Sequence, residues 1–132
     1  MESRELRSRT MRAVKSKDTA PEMIVRRLLH GAGFRYRLHR GDLPGSPDLT
    51  FPSSRKVIFV HGCFWHGHTC ARGSRVPKAN SDYWRKKIAG NVRRDQRSAR
   101  ALRQSGWKPL IVWECQLRSE RLLSRLTNFL AA

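Results

Sequence analysis

The chain has 132 residues, 28 of them Lys or Arg against 10 Asp or Glu, for a formal charge of +18. That length fits one domain, and 39% apolar residues suffice for a modest core and weigh against disorder. No apolar block reaches the roughly 18–20 residues of a membrane span, and the N-terminus (Met1-Glu2-Ser3-Arg4-Glu5-Leu6-Arg7) lacks the apolar stretch of a secretory signal, so a cytoplasmic protein is expected.

Residues 1–18 carry isolated apolar side chains (Leu6, Met11, Val14) among basic ones, too thin a pattern to fold alone, and are expected to form a basic arm ahead of a single domain, 19–132. Thr19-Ala20-Pro21-Glu22 fits a capping box with Pro in the first turn. Val25, Leu28, Leu29 and Ala32 follow at helical spacing, so a helix should run from about residue 20 to Gly31 or Gly33. Phe34 to His39 alternates apolar with basic residues, and Gly41 to Pro47 is turn chemistry. Asp48–Phe51 and Lys56–His61 read as a hairpin. Residues 62–80 show no periodicity. Ser81-Asp82 is an N-cap signal for a long helix that carries Trp84, Ile88, Val92, Ala99 and Leu102 and stops at Gly106. Pro109–Trp113 predicts a third strand, and Ser119-Glu120 should cap a last helix bearing Leu122, Leu126 and Phe129. The order α-β-β-α-β-α predicts an α/β or α+β domain, with helices packed on a mixed central sheet.

The basic residues are spread along the chain, so the folded surface itself is cationic and a polyanion is the expected partner. Because 21 of the 28 are Arg, bidentate contacts to phosphates and guanine edges are favoured. Charge by itself fits a non-specific RNA binder as well as a protein that reads DNA.

Ten carboxylates are few enough to sort. Glu2 and Glu5 lie in the arm, and Asp18, Glu22, Asp82 and Glu120 fall at expected helix starts, where the helix dipole accounts for them. Asp42 sits in a turn. Asp48, Asp95 and Glu114 remain. Asp48 opens a strand beside Val60-His61 and suits a divalent cation that bridges carboxylate and phosphate; its alternative is a turn-capping Asp. Asp95 lies on the otherwise apolar side of the long helix and must be paired, either in a buried ion pair or in a site.

Cys63-x4-His68-x-Cys70, completed by the distant Cys115, gives a Cys₃His set suited to a closed structural zinc site; unliganded core cysteines are the alternative. His61 and His66 stand outside that set and could handle a proton or a phosphate. Phe64-Trp65 falls outside any apolar stripe and could stack on bases or wedge between them. Tyr83-Trp84 could join it or pack under the sheet.

The chain resembles the very-short-patch-repair (Vsr) mismatch endonucleases over nearly its whole length. The resemblance is carried by Thr10–Val14, Leu43–Asp48, the run His61-Gly62-Cys63-Phe64-Trp65-His66, Lys87–Asp95 and Gly106–Cys115. It implies a restriction-endonuclease-like fold and Mg²⁺-dependent nicking of duplex DNA on the 5′ side of the T in a T:G mismatch. It also implies that Asp48 is the Mg²⁺ ligand, that His66 activates water and that Glu22 orients His66. His61 and Asp95 would lie at the cleaved phosphate and its metal-bound water, and Cys63, His68, Cys70 and Cys115 would hold Zn²⁺. Phe64, Trp65 and Trp84 resemble aromatics that enter from the major groove, and Met11 resembles a minor-groove wedge. Double-stranded DNA with a T:G mismatch is the implied substrate, mismatch-repair proteins are candidate further partners, and a monomer at the bacterial nucleoid is expected. One departure stands out: the strand Phe59-Val60-His61 lacks the acid and Lys, two residues apart, of the general nuclease pattern, and some Vsr members carry Thr where this chain has Val60. Two other readings remain: a zinc-stabilised DNA-binding module without catalysis, and a restriction-like nuclease without mismatch specificity.

Overall fold

The computed structural model describes residues 19–70, 73–74 and 76–132, so the arm 1–18 and its Met11 lie outside the described residues. Helix α1 (Ala20–Gly31) begins where the sequence predicts. Thr19, in extended conformation, accepts a hydrogen bond from the Glu22 N–H at 3.3 Å, and Pro21 occupies the first turn. Only this first half of the expected capping box is formed, because the Glu22 carboxylate turns inward to His39.

Four strands follow: β1 (Arg37–Leu38), β2 (Leu49–Phe51), β3 (Lys56–His61) and β4 (Lys108–Trp113). They form one mixed sheet in the order β1-β2-β3-β4. The expected hairpin is β2–β3, antiparallel with Leu49 opposite Ile58 and Phe51 opposite Lys56. The two-residue β1 is an addition to the expected order, formed where the Phe34–His39 alternation pairs antiparallel with β2. Asp48 lies one residue ahead of β2 rather than inside it. β4 runs parallel to β3, with helix α2 (Ser81–Gln104) in the crossover, and its position at the sheet edge tolerates Pro109.

Two helix starts shift from the expected positions. Asn80, in the left-handed region at φ 56°, caps α2, so that Ser81 is already helical. The last helix, α3 (Leu122–Ala131), is entered through Arg121, because Ser119 first closes a turn by accepting the Arg121 N–H at 3.2 Å.

Period-2 alternation along β3 divides the core between the two sheet faces. Ile58 joins Val25, Leu29, Leu49, Phe51, Val112, Leu122 and Leu126 under α1 and α3, whereas Val57 and Phe59 pack with Leu102 of α2. The protein is therefore a mixed α+β fold, with helices on both faces of the sheet. Among the described residues no helix is long and apolar enough to cross a membrane.

Candidate active site

β3 and β4 end, and β2 begins, at the same edge of the sheet. His61, Trp113 and Asp48 are therefore delivered there by strand register, and the following loop brings Cys63 to Cys70 across that edge. A cavity of about 210 Å³ lies at this point, lined by Asp48, Val60, His61, His66, Asp95 and Ser98 among others.

On the α2 side of the cavity, His66 Nδ1 is 2.6 Å from Asp95 Oδ2. A carboxylate at Nδ1 fixes the ring and leaves Nε2 as the atom able to take a proton. His61 stacks on His66 with ring centroids 3.7 Å apart and planes within 5°, and Trp113 meets His61 edge-on. Burial, together with the His66 ring, pushes His61 down to about 4, so it is neutral at pH 7. Its Nδ1 is buried without a hydrogen-bond partner and lies 4.0 Å from Asp95 Oδ2. An orphaned polar atom facing such a cavity is suited to a ligand.

On the other side, Asp48 Oδ2 accepts the Val60 N–H at 2.7 Å. Burial pushes this carboxyl up to about 7, opposed by the Val60 bond and reinforced by the neighbouring Glu22 carboxylate. Two carboxylates side by side in a dry pocket are the arrangement a hard divalent cation relieves, so Asp48 and Glu22 fit Mg²⁺ by donor type.

Cys63, His68, Cys70 and Cys115 each place one donor atom within 4.8 Å of the others. Backbone N–H groups of Cys115 and Gly73 point at the sulfurs of Cys63 and Cys70, at 3.3 and 3.4 Å, and His68 Nδ1 is 3.5 Å from Cys115 Sγ. Burial raises Cys63 to about 12, while the hydrogen bond with His68 lowers Cys70 to about 6. Four soft donors at this spacing fit a tetrahedral zinc ion and leave no position for a substrate.

Phe64, Trp65 and Trp84 form an edge-to-face triangle with centroids 5.0 to 5.7 Å apart, and all three are only partly buried. Asn91 of α2 donates to the Trp65 carbonyl at 2.9 Å. Phe64 and Trp65 of the triangle line a second groove, shared with His66, Lys87, Asn91 and Arg94.

The family model described as DNA mismatch endonuclease Vsr matches residues 2–72, just over half of the chain. A protein of Xanthomonas oryzae pv. oryzae named type II nicking enzyme V.XorIIP is 54% identical over 129 residues, covering 97% of this chain and 94% of the relative. The DNA mismatch endonuclease Vsr of Escherichia coli is 45% identical over 118 residues, covering 89% and 75%. The type II nicking enzyme V.NmeAIP of Neisseria meningitidis is 40% identical over 122 residues, covering 92% and 86%. The chain belongs to the DNA mismatch endonuclease Vsr family. As a Vsr-family protein it is an enzyme that cuts DNA, and the reading of a binding module without catalysis is set aside.

In this Vsr-family chain the fold brings Asp48, His61, His66 and Asp95 to one cavity, while Glu22 makes other contacts than expected. Glu22, expected to orient His66, contacts His39 and Arg26 instead, and Asp95 holds His66. The reason is geometric: α1 and α2 lie on opposite faces of the sheet, so Glu22 approaches Asp48 from the far side. His39 was missed altogether. Its contact with Glu22 spans 17 residues, and its left-handed backbone leaves no mark in the sequence.

Proposed function

We propose that this chain is a Mg²⁺-dependent endonuclease that nicks one strand of duplex DNA on the 5′ side of the T in a T:G mismatch. The carrying observation is the convergence of Asp48, His61, His66 and Asp95 on one cavity in a Vsr-family chain. Two relatives described as nicking enzymes and one described as a mismatch endonuclease support the reaction class. A mixed sheet with helices on both faces suits a restriction-endonuclease-like architecture, with residues 19–132 as its single domain and the basic arm 1–18 closing on DNA.

His66 accepts a proton from the attacking water at Nε2, while Asp95 at Nδ1 orients the ring and stabilises the imidazolium that forms. The water oxygen bonds to phosphorus as the bridging bond to the leaving sugar oxygen breaks, and that oxygen takes up a proton from solvent to become a hydroxyl. His61, neutral and held by stacking, donates a hydrogen bond toward a phosphate oxygen. Asp48, with Glu22 beside it, would hold Mg²⁺, and the Val60 carbonyl needs no side-chain hydroxyl to join them. When bound, Mg²⁺ supplies polarisation of the phosphoryl oxygens and neutralises developing charge. Cys63, His68, Cys70 and Cys115 would hold a structural Zn²⁺ that ties the histidine-bearing loop to the end of β4.

Phe64, Trp65 and Trp84 would enter the duplex beside the mismatch from one groove and Met11 from the other. A T:G wobble stacks poorly, so unstacking is easier there and deformability carries part of the discrimination. Duplex DNA in the cytoplasm is the partner this reading implies.

The test is a strand-labelled duplex with a single T:G pair, incubated with Mg²⁺ beside a matched duplex and the Asp48→Ala variant. A nick next to the T in the first reaction is expected, reduced about a hundredfold or more in the variant, with mismatch binding retained. Nicking by Asp48→Ala at the wild-type rate would remove Asp48 as the metal ligand. Equal cutting of the matched duplex would leave a nuclease without mismatch specificity.

A further inference from the structure

Beside Asp48, next to Glu22, lies a residue that the reaction above does not use. His39 is a non-glycine residue in the left-handed region, at φ 49°, a conformation uncommon for a residue with a side chain. Its backbone N–H donates to the Asp48 carbonyl at 3.2 Å, and its ring Nε2 lies 3.0 and 2.9 Å from the two Glu22 oxygens. One residue is thus tied to both carboxylate-bearing residues. One donor atom each of Glu22, His39 and Asp48 falls within 4.8 Å of the others.

Glu22 has a second cation in reach. Arg26, one turn along α1, places Nη1 3.4 Å from Glu22 Oε2, on the more exposed side. The His39 contact is the shorter and reaches both oxygens, whereas Arg26 reaches Oε2 alone. Glu22 itself is 1% exposed, so its direction is set by these two contacts rather than by solvent.

We propose that His39 is a positioning residue for the cation site at Asp48. Its ring clamps Glu22 so that Glu22 and Asp48 together present one oxygen face to a divalent ion. The inference rests on the reading of Asp48 as a metal ligand and adds to it how the second carboxylate is kept in place. A hydrogen bond from Nε2–H suffices, which is why an amide donor of similar reach should substitute. Without the clamp, Glu22 is left to Arg26 and the site loses Glu22 as an oxygen donor.

The probe is Mn²⁺, titrated into the full-length chain, alone and with a matched duplex, and followed by the electron paramagnetic resonance signal of the free ion. His39→Ala should weaken Mn²⁺ binding about tenfold, and His39→Gln should recover to within about threefold of wild type, the range typical of residues that orient metal ligands. In nicking assays His39→Ala should lower kcat while KM for the duplex stays unchanged. Glu22→Gln, which keeps a partner for His39 but removes a charged oxygen, should weaken Mn²⁺ by a similar factor and carries the test if His39→Ala does not fold. Wild-type Mn²⁺ affinity in His39→Ala or in Glu22→Gln would overturn the proposal, as would His39→Gln behaving like His39→Ala. Asp48→Asn separates the two levels: if it too binds Mn²⁺ as the wild type does, the reading of Asp48 fails, whereas loss in Asp48→Asn alone removes only the role of His39.

Discussion

Two buried residues in the same cavity are displaced in opposite senses, and their pH effects are separable. Asp48 is raised from 3.8 to about 7, so the folded state keeps a proton that the unfolded chain releases. Its stabilisation is complete below 3.8 and is lost as pH rises through 7. His61 is lowered from 6.5 to about 4, so the unfolded chain takes up the proton first. Its stabilisation is present above 6.5 and is lost as pH falls through 4. In Mg²⁺-free buffer the two slopes oppose each other between pH 4 and 6.5. The Tm difference between Asp48→Asn and wild type should therefore grow as pH rises toward 8, reaching on the order of 5 °C for a domain of this size. The corresponding difference for His61→Gln should instead be largest near pH 4 and shrink as pH rises. Differences that run in the same direction would contradict one of the two assignments.

At the scale of elements, the loop after β3 is seated directly on α2, and Gly67 sets the fit. Its φ is 65°, and a Cβ there would lie 2.9 Å from Cγ2 of both Ile88 and Val92. Gly67→Ala should destabilise the domain by about 1–3 kcal/mol in denaturant unfolding, from overpacking combined with a backbone conformation alanine resists. An unchanged midpoint would mean that the loop is not held against the helix. The same region shows what the sequence made legible. Strong periodicity located α1, β3 and α2 almost to the residue, and the Cys and His spacing picked out four donors that the fold does bring together. β1 escaped because two residues carry no period of their own and are a strand only through pairing with β2. Glu22 was first explained by a helix start, and the resemblance then linked it to His66. Only the placement of α1 across the sheet shows that its carboxylate faces His39 and Asp48. Contacts made between layers, unlike those along an element, leave no spacing to read.

For the molecule as a whole, the proposed function divides the work of binding between charge and an aromatic wedge, and salt tells them apart. With a formal charge of +18, DNA association should be dominated by phosphate contacts and counterion release, which weaken affinity by about 0.9 log units per log unit of salt for each phosphate neutralised. On the proposed reading those contacts are the same on matched and mismatched duplexes, so both should show the same salt slope. If, as proposed, the preference for T:G over T:A comes from unstacking at the aromatic triangle, it should be nearly independent of salt. Trp65 is the member of that triangle whose backbone is pinned to α2 by Asn91, so truncating its ring removes a contact without releasing the loop. Trp65→Ala should therefore lower the ratio of T:G to T:A affinity several-fold and leave the salt slope unchanged, measured by fluorescence anisotropy at four or more salt concentrations. An equal loss on both duplexes would make Trp65 a packing residue. A changed slope would mean that removing the ring alters the path of the phosphates across the basic surface.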